Sequence, residues 1–153
     1  MNKGFSLIEI LVVIGVFAII GLITSQSVLT SLKGARKADA ETQVRQNIDY
    51  TTQVIDRQLR SAKSVSCVSA TEVDFVDSGG QNQSFSKSDN AILFSSQELS
   101  SSDISITDLS FTCSGTFGVT QSVGVAITGL KSGVDTAEQS PISTQLTITL
   151  RNH

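Results

Sequence analysis

The feature that most limits what this chain can become is its beginning. From Phe5 to Ile23 there are 19 residues, and only Ser6 and Glu9 are clearly polar. A helix of about 20 apolar residues spans a bilayer core of roughly 30 Å. The chain therefore opens with one membrane-length helix, and only a short leader containing Lys3 stands in front of it. Within that run Glu9 is the anomaly. A charged side chain at mid-bilayer costs about 2.5 to 3.5 kcal/mol on insertion scales. Glu9 lies four residues past Phe5, about 6 Å along a helix, so snorkelling lowers that cost without abolishing it. A carboxylate in such a place calls for a partner. Were the bond after Gly4 cut, Phe5 would carry a new α-ammonium at the depth of the Glu9 carboxylate of a neighbouring copy. The two charges could then pair in surroundings where each alone is expensive.

Lys3-Gly4-Phe5-Ser6-Leu7-Ile8-Glu9 ahead of an apolar run resembles the class III signal of type IV pilins and pseudopilins. The resemblance is closest over roughly the first 35 residues. It implies cleavage after Gly4 by a prepilin peptidase, N-methylation of Phe5, and docking of each subunit through Glu9, with Lys3 as the leader's positive charge. The implied partners are other pilin or pseudopilin subunits, the peptidase, an inner-membrane assembly platform, and membrane lipid before assembly. The implied location is a single-pass cytoplasmic-membrane precursor with its head outside the cytoplasm, then a pilus or pseudopilus at the cell surface. Two plainer readings compete. An ordinary secretory signal would use Ser25 to Ser27 as its small cleavage residues, but the apolar run is long for that, and Glu9 would weaken export. A plain anchor should follow the Lys/Arg bias, yet Lys3 in front is outweighed by Lys33, Arg36 and Lys37 behind.

Gly15 and Gly21 interrupt the apolar run. Each costs about 1 kcal/mol in a helix interior, and small residues let apolar helices approach closely. The family offers a second role for them, a place where the helix can stretch. Many major pilins carry a proline here and this chain has none.

From Thr24 to about Lys63 the same helix is expected to continue. Val28, Leu32 and Ala35, then Val44, Ile48, Ile55, Leu59 and Ala62, fall on one face only with a 3.6 period. Lys37, Glu41, Arg45, Asp49, Asp56 and Arg60 fill the opposite face, and the order of Glu41 with Arg45 and of Asp56 with Arg60 supports a helix. Such a helix would run about 90 Å, a length useful to a core of staggered helices.

At Ser64 the character changes. Val65 with Cys67, Val73 with Phe75, Ala91 to Phe94, Ile104 with Ile106, then Leu109, Phe111 and Cys113, then Val123, Val125 and Ile127, and finally Leu146, Ile148 and Leu150 alternate or cluster in a Ser/Thr background. Period-two alternation marks half-buried strands. Turn residues separate them at Asp77-Ser78-Gly79-Gly80, Ser114-Gly115, Gly129 to Gly133 and Ser140-Pro141. Six or seven antiparallel strands packed on the Val44–Ala62 stripe give an α+β fold. The expected organisation is a leader (1–4), a membrane or filament-core helix (5–24), an amphipathic stem (25–63) and a β-rich head (64–153). The head resembles those of pilins, and its strand ending and low charge resemble minor pilins or minor pseudopilins.

Charge divides the same way. Residues 1–63 hold eight Lys/Arg and five Asp/Glu, a net of +3, while 64–153 hold three and nine, a net of −6. An acidic head gains nothing from phosphate neutralisation, so nucleic-acid binding is disfavoured. That weighs against a DNA-uptake tip subunit, one ligand-binding alternative beside an adhesin; Glu9 itself argues against the extreme tip subunit, which in the family can lack it. The head is small enough for staples to matter. Cys67 and Cys113 could form a disulfide in an oxidising compartment or remain two buried thiols. Enzymatic chemistry is not expected. The only histidine is His153, so no nucleophilic triad assembles without a terminal base, and two cysteines do not make a zinc site. No cofactor is expected. Asp74 with Asp77, or Asp103 with Asp108, could hold calcium together with backbone carbonyls, as in some pseudopilins, but they match no EF-hand loop and read better as solvated turn residues.

Overall fold

The computed structural model describes residues 6–116, 119–133 and 139–151. One helix, α1 (Leu7–Arg60), is followed by eight strands: β1 (Ser64–Ser69), β2 (Glu72–Val76), β3 (Asn82–Ser88), β4 (Ala91–Phe94), β5 (Gln97–Glu98), β6 (Ile104–Thr116), β7 (Val119–Lys131) and β8 (Ile142–Thr149). The fold is α+β, a long N-terminal helix and antiparallel sheets. The chain divides into two compact units, Met1–Ala38 and Asp39–His153.

In the second unit the strands form two antiparallel sheets, β1-β2-β3-β4-β5 and β6-β7-β8. Their inner faces and the C-terminal part of α1 share one core. The helix contributes Ala40, Val44, Ile48, Thr51, Ile55 and Leu59, all buried. These recur every three or four residues, the spacing that keeps side chains on one face. The first sheet adds Val65, Val73, Phe75, Phe85 and Ile92; the second adds Ile106, Leu109, Val123, Ile127 and Ile148, among others. Phe75, Phe85 and Phe94 stack, with centroid separations of 4.9 to 6.3 Å, in the offset range that aromatic pairs favour.

The structure differs from the sequence reading at several points. The helix stops at Arg60 rather than near Lys63, because the Lys63 N–H donates to Val76 O at 2.8 Å and draws the chain into the first sheet. The described residues hold eight strands rather than six or seven. Strand β3 was not expected, since Phe85 is its one large apolar residue and the rest of Asn82–Ser88 is polar. Strand β5 follows a two-residue turn, Ser95-Ser96, with φ of 47° and 73°. Hairpin turns of this kind usually carry Asn-Gly, and two serines give no such signal. The inner stripe also includes Ala40 and Thr51, while Val28 and Leu32 stay exposed. Asp56 accepts from Arg60 at 2.6 Å, and that bond together with the carboxylate's charge holds the guanidinium above its ordinary pKa. Among the described residues Glu41 and Arg45 form no corresponding ion pair.

The parity change along β6, with Ile104 and Ile106 on one phase and Leu109 and Phe111 on the next, has a structural cause. The register with β7 shifts between Ile106 and Asp108. A bulge adds one residue, so both sets of side chains point inward. Strand β6 also meets the first sheet directly: the Ile106 N–H donates to Asn90 O at 2.8 Å and the Phe111 N–H to Ala70 O at 2.7 Å. Beside these bonds Cys67 of β1 and Cys113 of β6 are joined in a disulfide, with Cα atoms 6.0 Å apart. The two sheets are thus linked covalently as well as through the core.

Candidate assembly site on the N-terminal helix

Lys3, Gly4 and Phe5 lie outside the described residues. The described part of the site starts at Ser6, whose carbonyl accepts from Glu9 N–H at 3.0 Å and Ile10 N–H at 3.3 Å. Ser6 thereby stands at the helix N-cap and Glu9 at its third position. Ser-x-x-Glu is the order of a capping box, and an acid in the first turn complements the positive end of the helix dipole. The signal for this local role of Ser6 is present in the sequence as Ser6-x-x-Glu9, beside the apolar run, and the sequence reading did not use it. Glu9 itself is exposed.

Beyond Glu9 the helix is apolar all round. Leu7, Ile8, Leu11, Ile14, Phe17 and Leu22 each leave 60% or more of their surface exposed, and no residue of the apolar span is buried within the chain. A helix that is hydrophobic on every face requires a lipid or protein environment. Gly15, Gly21 and Gly34 have open space where a Cβ would sit. Packing within the chain therefore does not select them, and close approach there would have to be to another molecule.

Four hydroxyls after the run are internally satisfied. The hydroxyls of Thr24, Ser25, Ser27 and Thr30 donate to the carbonyls of Ile20, Gly21, Ile23 and Gln26, at 2.6 to 3.1 Å. Such bonds to the preceding turn leave the hydroxyl without need of water, so this stretch tolerates apolar neighbours at low cost.

Elsewhere, two of the four candidate calcium residues make other contacts. The Asp77 carboxylate accepts from Gln81 N–H at 2.9 Å and closes the β2–β3 turn, and Asp103 faces Lys131 Nζ at 3.5 Å.

The described geometry defines a class: an α+β protein with an exposed, membrane-length apolar helix at its N-terminus, bearing an acid in its first turn. Comparison with known families makes it particular, since residues 1–25 match the prokaryotic N-terminal methylation motif, the class III signal of type IV pilins. No curated protein and no solved structure matches the chain. Together with the apolar helix, this signal fits a pilin-like, membrane-anchored precursor, and a signal of this type implies processing by a prepilin peptidase and assembly with other pilins.

Proposed function

We propose that this chain is a structural subunit, of minor-pilin type, of a type IV pilus or a secretion pseudopilus, and that it catalyses no reaction and uses no cofactor. The reading rests on the match of residues 1–25 to the N-terminal methylation motif. In this reading the peptidase cuts after Gly4, and Phe5 becomes the methylated N-terminus. The apolar helix then waits in the inner membrane, surrounded by lipid, until an assembly platform passes it into the fibre. There Glu9 pairs with the Phe5 ammonium of a neighbouring subunit. Desolvation explains why both charges are needed: removing one partner of a buried pair leaves the other uncompensated, at about 3 to 5 kcal/mol. The heads form the outer surface at the cell exterior.

Glu9→Ala tests the pairing in cells that produce the fibre. The expected result is a processed, membrane-resident subunit that is lost from sheared filaments. Normal incorporation of the variant would refute the pairing, and retention of residues 1–4 on the native protein would refute the processing.

A further inference from the structure

Strand β8 presents an open edge. Its register with β7 runs unbroken from Ile142 to Thr149. The Leu150 N–H donates to Gln121 O at 2.9 Å, which fixes the phase of the ladder. Doubly bonded pairs alternate with unbonded ones in an antiparallel ladder, so Ile142, Thr144, Leu146 and Ile148 bond to β7. Ser143, Gln145, Thr147 and Thr149 therefore turn their N–H and C=O groups outward. Among the described residues, no backbone bond meets that outer row. Proteins usually blunt such an edge with charges, a bulge, brevity or a proline within it. The opposite outer strand of the same sheet, β6, has edge N–H groups bonded to Asn90 O and Ala70 O, and the outer strand β5 of the first sheet is two residues long. Strand β8 has eight residues, carries no charge or bulge, and has Pro141 only in front of it.

Beside this edge lies a groove of about 900 Å³, walled by Leu146 of β8 and by the last turns of α1. Its charged lining residues are Arg57, Arg60, Lys63, Arg151 and Asp56, a net of +3 in a protein whose residues 64–153 sum to −6. Asp56 is already paired with Arg60. Among the described residues Arg57, Lys63 and Arg151 have no carboxylate within 4.0 Å. An edge of main-chain donors and acceptors selects an extended strand, and clustered cations beside it select negative side chains.

We propose that the β8 edge and its basic groove bind an extended acidic segment of another protein, which adds to the second sheet as a fourth strand. The main-chain ladder supplies the register, and acidic side chains on the groove side meet Arg57, Lys63 and Arg151. A nucleic acid fits less well, because it offers no alternating N–H and C=O groups to the edge.

The test uses the full chain in zwitterionic detergent, isotopically labelled for amide NMR. It is titrated with two capped probe peptides, an alternating Thr-Glu octamer and an alternating Thr-Lys octamer. The Thr-Glu peptide is expected to shift the amides of Ser143, Gln145, Thr147 and Thr149 and slow their exchange, with the Thr-Lys peptide at least about tenfold weaker. Thr147→Pro removes an outward donor without touching the β7 ladder, a position where an edge strand tolerates proline. It should weaken the Thr-Glu peptide by about tenfold or more. The double variant Arg57→Glu/Arg151→Glu keeps the edge intact and should reverse the preference between the peptides. The proposal is overturned if neither peptide moves the four outward amides. It is also overturned if those amides are already protected by self-association that dilution removes, which would assign the edge to a second copy. Tight binding of a DNA duplex of about 12 base pairs, unaffected by Thr147→Pro, would reassign the groove to phosphate and overturn it as well.

Discussion

Removing the Cys67–Cys113 bond should cost this protein a large share of its stability, through the unfolded state rather than the folded one. The cysteines are 46 residues apart in sequence. Closing a loop of that size removes about 13 to 14 cal/mol/K of entropy from the unfolded chain in the chain-entropy model, or about 4 kcal/mol at room temperature. Domains of this size are stable by about 5 to 15 kcal/mol, so the loss is a substantial fraction. With about 2.1 cal/mol/K of unfolding entropy per residue over the roughly 115 residues of the second unit, 4 kcal/mol corresponds to a fall in Tm of about 15 to 17 °C. The side chains are only half-buried, so exchanging sulfur for oxygen adds little. The assay is thermal and urea unfolding of the full chain in detergent, comparing wild type, Cys67→Ser/Cys113→Ser, and each single variant. The single and double variants should be equally destabilised, since each opens the same loop. The urea m-value should rise when the bond is absent, because an uncrosslinked unfolded chain exposes more surface. A fall in Tm under about 5 °C, or an unchanged m-value with single variants much worse than the double, would refute the loop-closure account and return the effect to local packing.

Other substitutions probe the core and the turns. Thr51 is fully buried and, among the described residues, its Oγ1 has no hydrogen-bond partner; Thr51→Val should therefore stabilise by about 1 kcal/mol in urea unfolding, by removing a desolvated hydroxyl. A loss of stability would show that the hydroxyl is bonded. Ser96 holds φ of 73°, which costs an L-residue about 1 to 2 kcal/mol. Ser96→Gly should recover part of that, read as a Tm increase of a few degrees, and a decrease would mean that the serine side chain itself supports the β4–β5 turn.

How much of this was legible in the sequence depended on whether side chains repeat with a period. The stripe Val44, Ile48, Ile55, Leu59 is helical by spacing alone, and Val123, Val125, Ile127 is a strand by alternation; both lie where expected. Thr51 completes the stripe but is polar, so a pattern of apolar residues passes over it. Strand β3 exists because its backbone bridges β2 and β4, and its one phenylalanine fills the aromatic stack; no local pattern in Asn82–Ser88 could reveal that. The helix end at Arg60 is set by a bond to Val76, sixteen residues further on, without a glycine to mark it. Cysteine spacing left the disulfide open, since only the placement of β1 beside β6 brings the sulfurs together. At the candidate assembly site, Glu9 stands out by chemistry alone, because an acid in a membrane-length run is costly, whereas the Gly4-Phe5 junction was legible through the resemblance of its flanking motif. The β8 edge was invisible, because an edge is a property of the sheet that surrounds a strand.

The seam between the two units at Ala38 falls inside a continuous helix and not in a linker. The turns from Ala40 to Leu59 continue the apolar helix in sequence, yet they furnish one wall of the core that the strands share. A protease nicking ahead of residue 38 would leave every residue of that core on one fragment. A nick twenty residues later would strip the sheets of the surface they condense on, so only the helix from Ala40 onward shares the fate of the strands.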